Sequence, residues 1–194
     1  MLEVILLLIG GYVFTQTAGH CIHWVLHRTW AGPIHISHND HHRRKYTPKD
    51  FLDTKYRYVD EGNSPFIYYA IPAVIFVALG FYLLPFHWAL ILSVELALVA
   101  FANDWIHLQL HIDGHWLERY RWFWRCRDLH WQHHVNEGTN YGIFSFFTDK
   151  LFGSFKEPVR VPDYYRDLPK VQRNQLPLVP ESAEGEILEP EQRL

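Results

Sequence analysis

Cysteine is almost missing from this chain: Cys21 and Cys126 are the only two in 194 residues, one inside an apolar stretch and the other among arginines. No disulfide framework follows from such a pair, and both thiols are assigned to a reducing setting. An excess of positive charge is also lacking, because 18 Lys+Arg stand against 21 Asp+Glu for a formal net charge of −3. That balance argues against a protein built mainly to grip nucleic acid. Charged residues make up 20% and hydrophobic residues 48%, which excludes an intrinsically disordered chain and fits one domain. The mean hydropathy of −0.15 looks soluble, yet the average conceals a segregation of apolar from charged segments.

No lysine or arginine precedes Arg28. The apolar start, Leu2 to Phe14, therefore lacks the basic region of a secretory signal and is expected to persist as a membrane helix. Thr15, Gln16 and Thr17 interrupt it before apolar character resumes through Leu26, so it spans if its polar end reaches the interface. Pro65 to Leu84 carries no charged side chain, and Pro85 to Asn103 is broken only by His87 and Glu95. About 20 apolar residues, rising 1.5 Å each, cross a hydrocarbon core about 30 Å thick. Both runs meet that length, with Pro85 at the tip of a helical hairpin. Glu95 reads equally as a functional carboxylate or as a neutral one bonded to a neighbouring helix.

Charge placement orients these segments. Seven of the Lys+Arg lie between Arg28 and Arg57, eleven between Arg119 and Arg193, and none at the hairpin tip. One helix in and a hairpin out and back place both basic segments on one face, which is the cytoplasmic face by the positive-inside rule. A soluble protein with the hairpin in its core would have too little other apolar surface to wrap it. The expected fold is all-α: a multi-pass integral membrane helical bundle with a cytoplasmic histidine-rich helical cap. Its spans, about three in number, are expected near residues 2–27, 65–84 and 85–111. Residues 1–175 read as a single domain and 176–194 as a flexible acidic tail.

Histidine is what the chain has in excess, with 14 copies. His20, His23 and His27 fall on one face at the end of the first helix, and Asp104, His107 and His111 repeat the spacing at the end of the third. Each set is followed by an HxxHH pattern: His38-Asn39-Asp40-His41-His42, and His130-Trp131-Gln132-His133-His134. Offsets of zero, three and four are expected to converge on one side of a helix. One histidine alone is an ordinary polar group, but repetition points to metal. His23, His27, His38, His41, His42, His107, His111, His130, His133 and His134 supply ten imidazoles. Ten suit two metals at five each, leaving each an open position, whereas a closed structural zinc site needs about four. Imidazole ligation fits zinc, copper, iron or nickel alike. His87 lies at the hairpin tip and His115 follows the Asp113-Gly114 turn, so neither is expected to ligate. Asp104, and behind it Asp128, Asp40 and Asp149, are candidates to fix imidazole tautomers through the second ring nitrogen; the bland reading of each is a solvated charge.

With these residues in view, Gly19 to Phe155 resembles the fatty acid hydroxylase/sterol desaturase superfamily of histidine-rich integral membrane di-iron enzymes. The likeness is carried by Asn103-Asp104-Trp105-Ile106-His107-Leu108-Gln109-Leu110-His111, Leu129-His130-Trp131-Gln132-His133-His134, Asn140-Tyr141-Gly142 and Asp149-Lys150-Leu151-Phe152-Gly153. In the first half, Trp24-Val25-Leu26-His27-Arg28 is similar to the family's first histidine box and Pro33 to His42 to its second. The histidine that normally follows the His-Arg pair is replaced by Thr29-Trp30-Ala31-Gly32, which leaves His23 or His35 as the tenth ligand. The resemblance implies two iron ions and O2 acting on an unactivated C–H bond of a lipid, with hydroxylation as the default and desaturation as the variant. Zinc, lacking redox chemistry, could not serve.

Fatty acyl, sphingoid, sterol, hopanoid and carotenoid lipids all suit an apolar entrance. No b5-like haem domain fits within the chain, so electrons are expected from an external donor, cytochrome b5-like or a ferredoxin with its reductase. Arg43-Arg44-Lys45 and Arg119, Arg121, Arg125 and Arg127, interleaved with Trp116, Tyr120, Trp122, Phe123 and Trp124, read as an interfacial segment on anionic lipid or a docking face for that donor. No nucleic-acid partner is expected. The competing classes are a membrane metal transporter or sensor, which would need ligands within the spans, and a degenerate family member without activity.

Overall fold

The computed structural model describes residues 2–54 and 66–158. The proposed boundary at residue 175, the acidic tail, Lys55 and Arg57 lie outside the described residues. Six α-helices account for most of the rest: α1 (Leu2–Leu26), α2 (Pro33–Asp40), α3 (Phe66–Leu83), α4 (Phe86–Leu110), α5 (Arg121–Val135) and α6 (Phe147–Phe152). No strand occurs among the described residues; the nearest thing is an isolated bridge between Asp53 and Ile112. The fold is all-helical.

Two helices, α1 and α4, are each 25 residues long and apolar enough to cross a membrane. In α3 the described apolar stretch is the shorter Pro72–Leu83. Leu98 and Phe101 on α4 stand 63% and 65% exposed, which is the reverse of a helix at the centre of a soluble core. Two of the three residues in the polar interruption of α1 satisfy their hydroxyls within the helix. Thr15 and Thr17 donate their hydroxyls to the carbonyls of Gly11 and Val13, four residues back, at 2.9 and 2.7 Å, and Thr15 and Gln16 are buried. Helix α1 therefore continues unbroken, its polar stripe turned inward. Its tightest contact with α4 is at Gly11, where an added Cβ would collide with the Glu95 carboxyl. Pro85 caps the start of α4 and turns the hairpin.

The remaining elements form a layer across the ends of α1 and α4. Pro33 opens α2 at a position where its missing N–H costs nothing. Helix α2 runs on into a π-helical turn, His41–Lys45, closed by Tyr46 N–H donating to the His41 carbonyl at 2.8 Å. Helix α5 is the buried centre of this layer: Phe123 packs with Leu110, Leu117 and Cys126, and Trp131 packs with Phe51 and Leu52.

Arg127 departs from the surface role expected of it. It is fully buried and donates to Glu118 at 2.6 Å and to the carbonyls of Ile112 and Gln109 at 2.6 and 3.3 Å. Those carbonyls lie at the end of α4, so the guanidinium ties α5 to the last turn of that helix. Arg119 stacks on Trp116 and Tyr120, and Arg125 pairs with Glu157 at 3.1 Å in the open. Removing the buried guanidinium takes a charged donor from Glu118, which keeps the His115 N–H, and from the two carbonyls, of which Gln109 keeps the Ile112 N–H. Arg127→Ala is expected to cost about 3 kcal/mol, whereas Arg125→Ala is expected to cost under about 1 kcal/mol. Thermal unfolding of the two variants in detergent checks the contrast.

Candidate metal centre

The histidines come together as two groups. His23, His27, His38, His42 and His133 form one, and His41, His111, His130 and His134 the other; within each, one ring nitrogen per residue lies within 4.8 Å of all the rest. Each HxxHH pattern is divided between them. His38 and His42 enter the first group and His41 the second, while His130 and His134 enter the second and His133 the first. On a helix, positions zero and four lie about 40° apart, but positions three and four diverge by about 100°. The pattern is therefore a fork that serves two sites, rather than three imidazoles converging on one. The groups touch: the His42 and His134 rings stack with centroids 4.0 Å apart.

His107 stands beside the second group. Its ring lies 4.7 Å from that of His130 and 5.0 Å from that of His41, and its Nε2 is buried without a hydrogen-bond partner. It precedes His111 by one turn as His23 precedes His27. The two alternatives for the tenth position also separate. His23 joins the first group, whereas His35 Nδ1 bonds the Leu26 carbonyl at 2.9 Å, outside both. His20 faces Asp149, His115 caps the turn Trp116–Arg119, and His87 lies against Trp88 near the hairpin tip.

Hydrogen bonds set which nitrogen points inward. Nδ1–H of His23, His111, His133 and His134 donates to the carbonyls of Tyr141, Phe51, Thr139 and Tyr46 at 2.6, 3.1, 2.6 and 2.7 Å. A ring protonated there presents the Nε2 lone pair on its far side. Those nitrogens face one another: His38 to His27 at 2.9 Å, His27 to His133 at 3.0 Å and His23 to His38 at 3.1 Å in one group. In the other, His130 lies 3.1 Å from His111 and 3.2 Å from His134. One N–H can bridge one such edge as a hydrogen bond, whereas a cation between the rings can take every inward lone pair of a group. Two imidazoles bound at right angles, each about 2.1 Å from a metal, would hold their nitrogens about 3 Å apart. The donor set and its edges thus fit a metal in each group, and imidazole leaves its identity open among zinc, copper, iron and nickel.

Burial, reinforced by neighbouring imidazoles, holds His38, His41, His42, His111, His130, His133 and His134 well below the ordinary histidine value. They are neutral at physiological pH, the form that ligates. His27 is also lowered by burial, with Glu137 opposing.

Backbone carbonyls accept from four of these rings, and the four expected aspartates occupy different surroundings. Asp40 pairs with Arg44 and Lys45 at 2.9 and 3.5 Å. Asp128 is buried on α5, where its charge supports Arg127. Asp104 lines a cavity beside His107, and no described hydrogen bond joins it to an imidazole. Asp149 acts at one remove. It accepts from the backbone N–H of Tyr141 and Gly142 at 2.7 and 2.9 Å and from Ser154 at 2.7 Å, so it holds the carbonyl that receives His23. A Cβ at Gly142 would strike the Ser145 carbonyl and the Asp149 carboxylate. The carboxylate that does reach a cluster is Glu137, whose Oε2 lies 3.5 Å from His27 Nδ1. That hydrogen bond keeps Glu137 below the usual carboxylate range. Its position three residues beyond the second HxxHH was the available signal.

A cavity of about 280 Å3 between α1, α3 and α4 ends on His23, His38, His41 and His107, and so opens on both groups. Its walls toward the spans are apolar, among them Ala73, Phe76, Val77, Leu96 and Ala100. A second cavity of about 450 Å3 shares Thr15, Phe76, Val77, Ser93 and Leu96 with it and continues to Leu6, Leu83 and Leu84.

The family model for fatty acid hydroxylase matches residues 8–154. No curated protein and no solved structure matches the chain.

Two measurements follow from the division of ligands. Protein loaded with metal is expected to hold about two ions per chain, and His133→Ala or His130→Ala to hold about one, each from a different group; elemental analysis after gel filtration reads this. Glu137→Ala keeps every ligand and is expected to weaken metal retention about tenfold against a chelator.

Proposed function

Because the chain belongs to the fatty acid hydroxylase family, we propose that it is a membrane-bound, di-iron, O2-dependent lipid hydroxylase. Helix α3 completes a third span, and the histidine cap lies on the cytoplasmic face, where the basic residues gather. The observation that carries the reading is the placement of His23 and His38 of the first group, His41 of the second and the neighbouring His107 at the end of a mainly apolar cavity between helices α1, α3 and α4. A transporter would need its donors strung along the spans, whereas here they cluster at one end of α1 and α4.

His23, His27, His38, His42 and His133 would hold one iron, and His41, His107, His111, His130 and His134 the other. When bound and reduced by an external donor, such a pair supplies the oxidising power to convert an unactivated C–H bond with O2. The protein's own work is separable from that chemistry. The backbone carbonyls of Tyr46, Phe51, Thr139 and Tyr141 keep four rings turned with Nε2 inward. The apolar walls exclude water and admit a lipid chain laterally from the bilayer. Ala73, Ala97 and Ala100 leave room for that chain beside α3 and α4. Burial keeps the imidazoles neutral, so no proton need leave the site before metal enters.

Lipid extracts from cells with and without the gene, grown under 18O2, test the reaction. A lipid gaining one labelled oxygen only when the gene is present is the expected result, lost in His133→Ala. A product two hydrogens lighter and free of label would make the enzyme a desaturase.

A further inference from the structure

Helix α6 buries one side and leaves the other bare. Thr148 and Asp149 are fully enclosed, while the next turn presents Leu151 and Phe152 at 70% and 54% exposure. The short helix is held firmly: Asp149 receives two backbone N–H groups and the Ser154 hydroxyl, and Gly153, at φ 76°, ends it in the left-handed conformation. Large apolar side chains in so fixed a position are not a fluctuating loop tip. They need a cover.

The depth of α6 identifies that cover. The Phe152 ring lies 5.1 Å from the ring of His20, and Asp149 Oδ1 lies 3.5 Å from His20 Nδ1. His20 is six residues before the end of α1 at Leu26, hence about 9 Å inside the spanning helix. Just before α6, Phe144 and Phe146 pack against the cluster of Leu110, Leu117, Phe123 and Cys126, which includes the last residue of α4. Both ends of the segment thus lie level with the last turns of membrane helices, at the 5–10 Å depth to which interfacial helices sink. Lys150 reaches from the same helix to lie 4.9 Å over the Phe155 ring, the posture of a cation kept at the water's edge.

We propose that α6 is an interfacial wedge whose Leu151 and Phe152 enter the acyl region of the leaflet that borders the histidine groups. The occupant of the bare face is lipid, because the face stands at the level of His20, within the length of α1 rather than beyond its end. Tyr141 and Gly142, which Asp149 holds, also line the cavity, so the wedge forms a lip of the opening through which a bilayer lipid would pass. The inference rests on the membrane placement proposed above.

Depth-dependent fluorescence quenching tests it on full-length, metal-loaded protein in phosphatidylcholine nanodiscs. A Cys21→Ala background removes the exposed thiol; Cys126 stays unlabelled, being buried with its thiol pushed up to about 12. Bimane is attached at Leu151→Cys or Phe152→Cys, with Val13→Cys as the in-span reference and Glu157→Cys as the aqueous one, and metal content confirms folding of each. Lipids brominated near the headgroup are expected to quench Leu151→Cys and Phe152→Cys at least about twofold more than Glu157→Cys, and deeply brominated lipids to quench Val13→Cys most. Quenching at 151 and 152 no greater than at 157, with Val13→Cys quenched, overturns the wedge alone, as would follow if a protein partner or a second copy covered the face. Failure of every brominated lipid to quench Val13→Cys overturns the membrane placement as well.

Discussion

Ring nitrogens drawn to within about 3 Å of one another are the constraint on which this fold turns. Neutral imidazoles can meet that closely in pairs through N–H···N hydrogen bonds, but a ring gives one hydrogen to one neighbour, whereas a cation accepts all the lone pairs of a group at once. The arrangement suits cations, and the surrounding elements are disposed to hold it. Carbonyls from the segment after the π-helical turn and from the loop after α5 fix four of the rings. The buried Arg127 fastens α5, the helix that serves both groups, to the end of α4.

The two groups are built to one plan. Each takes an i,i+4 pair from the neighbourhood of a spanning helix, a second i,i+4 pair from one HxxHH, and the odd histidine of the other HxxHH. His23 and His27 with His38 and His42 plus His133 answer to His107 and His111 with His130 and His134 plus His41. Interleaving of this kind couples the sites mechanically, because α2 and α5 each carry ligands of both. His23, one turn before His27, occupies in the first group the place that His107 has beside His111.

Much of this was legible in the residues. The gathering of histidines, nine in two groups with His107 beside them, and the turn at Pro85 follow from spacing and hydropathy, and the family likeness from the motifs around those histidines. Three features were not. The division of each HxxHH between two sites depends on which way a 100° divergence is pointed, and that is a matter of tertiary packing. The orienting acceptors are backbone carbonyls, which every residue possesses, so no side-chain pattern announces Tyr46, Phe51, Thr139 or Tyr141 in that role. Arg127 looked like its surface neighbours because charge periodicity does not reveal which arginine finds the carbonyls at the end of α4. Conversely, Thr15 and Thr17 looked like an obstacle to spanning and are not, since each satisfies its hydroxyl within its own helix.

The central claim is that these imidazoles enclose a pair of metal ions through nitrogen alone. X-ray absorption at the iron edge of the purified protein measures this directly. The account predicts a first shell of nitrogen or oxygen near 2.1 Å with the multiple scattering of several imidazoles per iron. A sulfur shell, or a shell without imidazole scattering, would contradict it.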